Sequence, residues 1–171
     1  MGHRETLRTK NKVIRTTAIL VFMCYILLLI NITLFRITVT LWKAPFSKEN
    51  IFFDTSLQAG IKRGNFIPFH SIDYYLISKQ EPFAVGIVNV FGNLVLFLPF
   101  GFLLPFIWIY FRTSKTCPIA ILVTSTFLET MQLILGVGWF DIDDILLNTL
   151  GGLIGFALFT QLLRLYRFTK G

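Results

Sequence analysis

Glu129 is an ionisable residue inside a long apolar run, and it has polar company at helical spacing. Ser125, Glu129 and Gln132 fall at i, i+4 and i+7, which puts them on one face of a helix. An ionisable group in hydrocarbon is costly and normally faces a bundle interior or a cavity. Two readings follow: a proton donor or acceptor or a ligand for a polar headgroup, or an interhelical hydrogen bond that fixes packing. Asn89, Gly92 and Asn93 make a second group at helical spacing, and buried asparagines of this kind commonly join helices. Asp141, Asp144 and Asn148 make a third, at i, i+3 and i+7, continued by Gly151 and Gly155. Capping and compensation of the helix dipole account for one of these carboxylates. They account less well for three in four positions, since Asp143 lies between the others. A loose divalent-cation site is a further reading, although the full ligand pattern of a calcium loop is absent.

These residues need long apolar elements to position them. The chain is 54% apolar and 15% charged, against about 25% charged in soluble domains, so water is not its main solvent. Spanning hydrocarbon takes about 20 apolar residues, and four segments supply them: 16–35, 85–111, 116–140 and 145–163. The expected fold is all-α, a polytopic membrane protein with a bundle of four transmembrane helices. The 171 residues make one domain, a basic tail (1–15) followed by a membrane domain (16–171) with a long loop (36–84). The first apolar run is too long for a typical signal-peptide core and lacks a small-x-small cleavage site, so it reads as an uncleaved anchor.

The net charge of +7 would suggest nucleic acid in a soluble protein, but these cations flank the apolar runs, so topology explains them and no nucleic-acid partner is expected. Arg4, Arg8, Lys10, Lys12 and Arg15 precede the first span, Arg112 and Lys115 join the second to the third, and Arg164, Arg167 and Lys170 follow the fourth. The turn after the third span is acidic, and the long first loop mixes both signs. Both termini and the second loop are therefore expected in the cytoplasm, with the long loop and the acidic turn outside. The long loop is aromatic-rich, and a short interfacial helix is expected near 71–79. Pro99 and Pro105, on either side of Gly101, should kink or locally unwind the second span. Gly151 and Gly155 form a small-xxx-small pair for close helix approach.

On a common scale of depth, Asn89, Asn93, Gln132, Asp141, Asp144 and Asn148 fall in the outer half of the bundle. Glu129, roughly three turns below the end of its span, would be their floor near the midplane. Side chains from three helices thus converge toward one face. Neither a serine–histidine pair nor a metal-ligand spacing is present, Cys24 and Cys117 read as packed thiols, and no nucleotide or redox-cofactor motif occurs.

At these residues the sequence resembles the VanZ-like family of bacterial membrane proteins, from about residue 63 to residue 155. Four blocks carry the resemblance: Asn65-Phe66-Ile67-Pro68-Phe69; Asn89-Val90-Phe91-Gly92-Asn93 continued as Phe97-Leu98-Pro99-Phe100-Gly101; Glu129 with Gln132; and Phe140-Asp141-Ile142-Asp143-Asp144 with Asn148, Gly151 and Gly155. One departure stands out: many relatives carry an arginine near Gly138, where this chain reads Gly136-Val137-Gly138-Trp139, and Arg63 is the candidate to replace it.

The resemblance implies a bacterial cytoplasmic-membrane protein with a part in low-level resistance to glycopeptides of the teicoplanin type. The favoured reading is non-enzymatic: an outward-facing polar pocket of Asn89, Asn93, Glu129, Gln132, Asp141, Asp144 and Asn148 that binds a membrane lipid or a lipid-linked cell-wall component. One alternative is an intramembrane enzyme on a lipid-linked substrate, with Glu129 and Asp144 as acid and base. Another is a structural subunit or transporter component, which with four helices would work as a homo-oligomer or beside a partner.

Overall fold

The computed structural model describes residues 2–35, 57–77 and 83–169. Much of the long loop expected at 36–84, including Phe52, Phe53 and Lys79, lies outside the described residues, as do Met1, Lys170 and Gly171. The described elements are all helical: α1 (Gly2–Phe35), α2 (Leu57–Arg63), α3 (His70–Ile72, continued by a π-helical turn, Asp73–Ile77), α4 (Phe83–Ile107), a 3-10 turn (Ile109–Arg112), α5 (Thr116–Leu135) and α6 (Ile142–Phe168). Helices α1, α4, α5 and α6 are each long and apolar enough to cross a membrane. Over the described residues the protein is thus an all-helical membrane protein with four spans.

The helix ends have local causes. At the start of α5, the Thr113 hydroxyl accepts the Thr116 N–H at 3.0 Å, and Pro118 falls in the first turn, where its missing N–H costs nothing. Gly136 ends α5 in the left-handed conformation, φ 65°, which glycine adopts without a Cβ clash. There Gly136 N donates to the Leu133 carbonyl and Val137 N to that of Gln132, the paired bonds of a Schellman motif. The third span is therefore shorter than the expected 116–140. Helix α6 starts at Ile142, three residues before the expected 145, because Asp141 caps it by accepting the Asp143 N–H at 2.9 Å. Helix α1 likewise starts at Gly2, so the basic segment forms one rod with the span. Helix α4 runs unbroken through Pro99 and Pro105, so the expected local unwinding does not occur.

The most extensive helix contact is α4 against α6, and glycine makes it. A Cβ on Gly101 would lie 1.8 Å from the Gly152 carbonyl oxygen, one on Gly151 would lie 1.9 Å from that of Leu94, and one on Gly155 would lie 2.0 Å from that of Leu98. The backbones thus touch along two turns, as small residues permit where lipid supplies no hydrophobic drive between helices. An aromatic core fills the space beside this seam: Phe22 of α1 lies 6.0 Å from Phe100 of α4 and edge-on to Trp108 at 5.4 Å. Tyr25 donates to the Leu96 carbonyl at 2.7 Å, which ties α1 to α4. Outside this core, Leu27, Val95, Val123, Phe127 and Leu158 are exposed large apolar side chains on the spans, the surface a lipid-facing bundle requires.

The spans alternate in direction. Gln132 Nε2 reaches the Thr33 carbonyl at 3.0 Å, joining the ends of α1 and α5. Arg112 lies over the Phe159 ring at 5.5 Å, joining the α4–α5 turn to the far part of α6. One end of the bundle therefore holds the described loop and the α5–α6 turn, hereafter the loop face, and the other holds the α4–α5 turn and the C-terminal end of α6.

The seam generates a prediction. Gly101→Ala and Gly151→Ala should each lower stability by about 1–3 kcal/mol, the usual cost of overpacking. Gly92→Ala, where an added Cβ meets nothing within 4 Å, should be neutral or slightly stabilising. Thermal unfolding of the three variants in detergent checks the contrast.

Candidate functional site

The loop face is built around a carboxylate. Asp143, in the first turn of α6, is fully buried, with 0% of its surface exposed. Its Oδ1 accepts the Phe69 N–H at 2.5 Å. Its Oδ2 accepts the N–H groups of Ser71 at 2.8 Å and Ile72 at 3.3 Å, and the Asn65 amide at 3.3 Å. One side chain of a membrane helix thus holds the start of α3. Phe69 sits in the left-handed region, φ 68°, which costs a non-glycine residue about 1–2 kcal/mol. Its hydrogen bond to Asp143 offsets that cost.

Asp141 completes the clasp. Its carboxylate accepts the Asn65 amide at 2.9 Å and the Ser71 hydroxyl at 2.5 Å while capping α6. The backbone pairs as well: Asn65 N donates to the Phe140 carbonyl at 2.8 Å, and Ile142 N to that of Asn65 at 3.0 Å. Phe66 stacks on Phe140, 5.3 Å between ring centroids. Helix α2 leads into this segment and packs on α5 at Gly60, where a Cβ would meet Leu133 at 2.7 Å.

A cleft of about 530 Å³ opens between the clasped loop and the α5–α6 turn. It is lined by Arg63, His70, Ser71, Tyr74, Trp139 and Asp141, with Gly64, Asn65, Phe66 and Ile67. A guanidinium, an imidazole, two hydroxyls, a carboxylate and the aromatic rings of Phe66, Tyr74 and Trp139 therefore share one opening.

The residues singled out by spacing have several fates. Of that group, Asp141 lines this cleft. Asn93 and Asp144 bond to each other across the α4–α6 seam, Asn93 Nδ2 donating to Asp144 Oδ1. Asn148 Nδ2 donates to Ser125 Oγ at 3.1 Å, joining α6 to α5. Gln132 turns away toward α1. Asn89 is half-buried and enters none of these bonds. Glu129 is buried, and its Oε2 accepts the Asp141 N–H at 3.3 Å. The expectation that it forms a floor near the midplane needs correcting: α5 ends at Leu135, six residues on, which is about 9 Å at 1.5 Å per residue. Glu129 therefore lies just beneath the clasp, and the deeper polar pair is Ser125 with Asn148. Among the described residues no three His, Cys, Asp or Glu side chains are grouped to hold a metal ion.

Periodicity passed over Asp143 because it is out of phase with Asp141, Asp144 and Asn148. The available signal was the surplus of carboxylates, three in four positions where one suffices to cap a helix. Its partners are backbone groups more than seventy residues away, which spacing does not encode.

Fold and site together define a four-span membrane protein with a polar cleft on the face where a loop is clasped to the last helix. A family model described as VanZ/LLP1 matches residues 22–164, and the chain belongs to that family. It is also 36% identical over 73 residues to Protein VanZ of Enterococcus faecium, a stretch covering 42% of this chain and 44% of that protein. The match thus spans less than half of the relative's length. No solved structure matches the chain.

The clasp predicts a local effect. Asp143→Ala removes the shared acceptor of three backbone donors and should cost about 3 kcal/mol. Hydrogen exchange followed by mass spectrometry should show residues 64–73 losing protection while the α4–α6 seam keeps it. Unchanged protection over 64–73 would show that the loop is held by something else.

Proposed function

We propose that this protein is a cell-envelope component of the bacterial cytoplasmic membrane that binds a lipid or lipid-linked headgroup in the loop-face cleft, and that through this binding it lowers susceptibility to glycopeptides of the teicoplanin type. The observation carrying the reading is the cleft's chemistry. Arg63 offers planar donors suited to phosphate, and Tyr74 and Trp139 line the same opening with aromatic rings, as sugars and headgroups require. The excess of Lys and Arg at the opposite end supports an outward-facing cleft under the positive-inside rule. Lipid-anchored glycopeptides and their lipid-linked cell-wall targets both reach the outer leaflet, so a headgroup site there meets either.

In this reading Arg63 supplies at the cleft the cation that many relatives carry near Gly138. Gly138 itself is buried. The half-buried pair Asn93–Asp144 and the buried pair Ser125–Asn148 then support the helices rather than contact ligand.

A second reading rests on Glu129. Its buried carboxylate is one backbone hydrogen bond from Asp141, which lines the cleft, so a group entering from that side would meet a potential acid or base directly below. The reaction would act on a lipid-linked substrate.

Native mass spectrometry of the protein in mild detergent separates the readings. Wild type should retain a specific envelope lipid, Arg63→Gln and Trp139→Ala should lose most of it, and Asp144→Asn, away from the cleft, should keep it. Equal retention in all four would sink the cleft as the binding site. Glu129→Gln that keeps the lipid and the fold but loses teicoplanin protection would favour chemistry over binding.

A further inference from the structure

We infer that the segment Phe66-Ile67-Pro68-Phe69 is a wedge seated in the lipid of the loop-face leaflet, so that the cleft opens at the level of the lipid headgroups rather than into free water. The first observation is the surface the segment presents. Ile67 and Phe69 are each 66% exposed and Phe66 is 53% exposed. These values match Leu27 at 65% and Val95 at 59%, side chains within the membrane spans. A water-facing turn built for solubility would not place three large apolar side chains and a proline together at its tip.

The second observation is the backbone. Between Gly64 and Asp73, every N–H other than that of Phe66 has an acceptor within the protein. Gly64 uses the Ile61 carbonyl, Asn65 that of Phe140, His70 that of Ile67 and Asp73 that of Phe69. Ile67 uses the side-chain oxygen of Asn65, and Phe69, Ser71 and Ile72 use Asp143. A loop in water has no need of such completeness, because water satisfies its donors. Irregular backbone at membrane depth does need it.

The third observation is level. Counting back from Arg164 along α6, a hydrocarbon core about 30 Å thick takes about 20 residues at 1.5 Å each, which ends near Asp144. Asn65, next to the segment, is bonded to Phe140, Asp141 and Ile142, Phe66 stacks on Phe140 and Phe69 is bonded to Asp143, so the segment lies beside the edge of the hydrocarbon. The wedge therefore continues the lipid-facing surface of the spans. Its occupant is the bilayer itself.

Spin-label accessibility tests this in liposomes. The background is Cys24→Ala, in which the remaining Cys117 is fully buried. Labels go on Ile67→Cys and Phe69→Cys, with Leu27→Cys as the lipid reference and Ser114→Cys, in the α4–α5 turn, as the aqueous reference. The ratio of collisions with oxygen to collisions with a water-soluble nickel chelate should be several-fold higher at the two loop positions than at Ser114→Cys, approaching Leu27→Cys. A ratio like that of Ser114→Cys would overturn the wedge. Low collision with both reagents together with spin–spin broadening would also overturn it, by showing a second copy of the chain in place of lipid. Two labelled positions in one segment keep the test decisive if either variant folds poorly.

Discussion

A buried carboxylate and a set of backbone donors solve each other's problem at the loop face. Asp143 cannot be fully desolvated without strong hydrogen bonds, and the start of α3 cannot be set against the bundle without an acceptor for its first N–H groups. Joined, they fix the loop to the last helix at one point, and Asp141, Asn65 and Ser71 fix its orientation there. The cleft is the space left between that loop and the α5–α6 turn, so its walls inherit their positions from this joint.

The glycine seam is the second constraint, and it acts on the same helix. With Gly101, Gly151, Gly152 and Gly155 the α4 and α6 backbones approach to contact, which leaves polar side chains beside the seam no separation to bridge with water. Asn93 meets Asp144 directly, and on the α5 side Ser125 meets Asn148. Asp144 and Asp143 are adjacent in sequence yet belong to different jobs. One binds helix to helix and the other binds loop to helix, because a helical step of about 100° turns them to different neighbours.

The four spans were legible because hydrocarbon thickness imposes length and composition, and the glycine pair was legible because helix approach imposes small side chains at fixed spacing. Helix ends were less legible. Gly136 ends α5 several residues before the apolar run stops, since Trp139 and Phe140 are apolar in composition but serve the loop face. That shift displaced Glu129 in the depth reading. Asp143 was illegible for a different reason: its role depends on tertiary pairing with Phe69, Ser71 and Ile72, and nothing in a local periodic pattern marks a residue whose partners are main-chain groups of a distant loop.

The polar residues of the loop face therefore divide by what they can still do. A carboxylate accepting four hydrogen bonds, as Asp143 does, has little capacity left for a ligand, and losing it would undo the loop. Arg63 and His70 have the opposite character: both are exposed and border the open cleft. Glu129 falls between the two, buried like Asp143 but lying under Asp141, whose backbone it accepts and whose side chain reaches the cleft. Reading function from depth alone favours the buried carboxylates. Reading it from remaining bonding capacity favours the rim, and the rim is built mostly from a loop that joins two spans rather than from the spans themselves. The α4–α6 seam brings backbone to backbone and leaves no room for a ligand between those two helices, whereas polar-lined open space lies where the loop meets the bundle's edge.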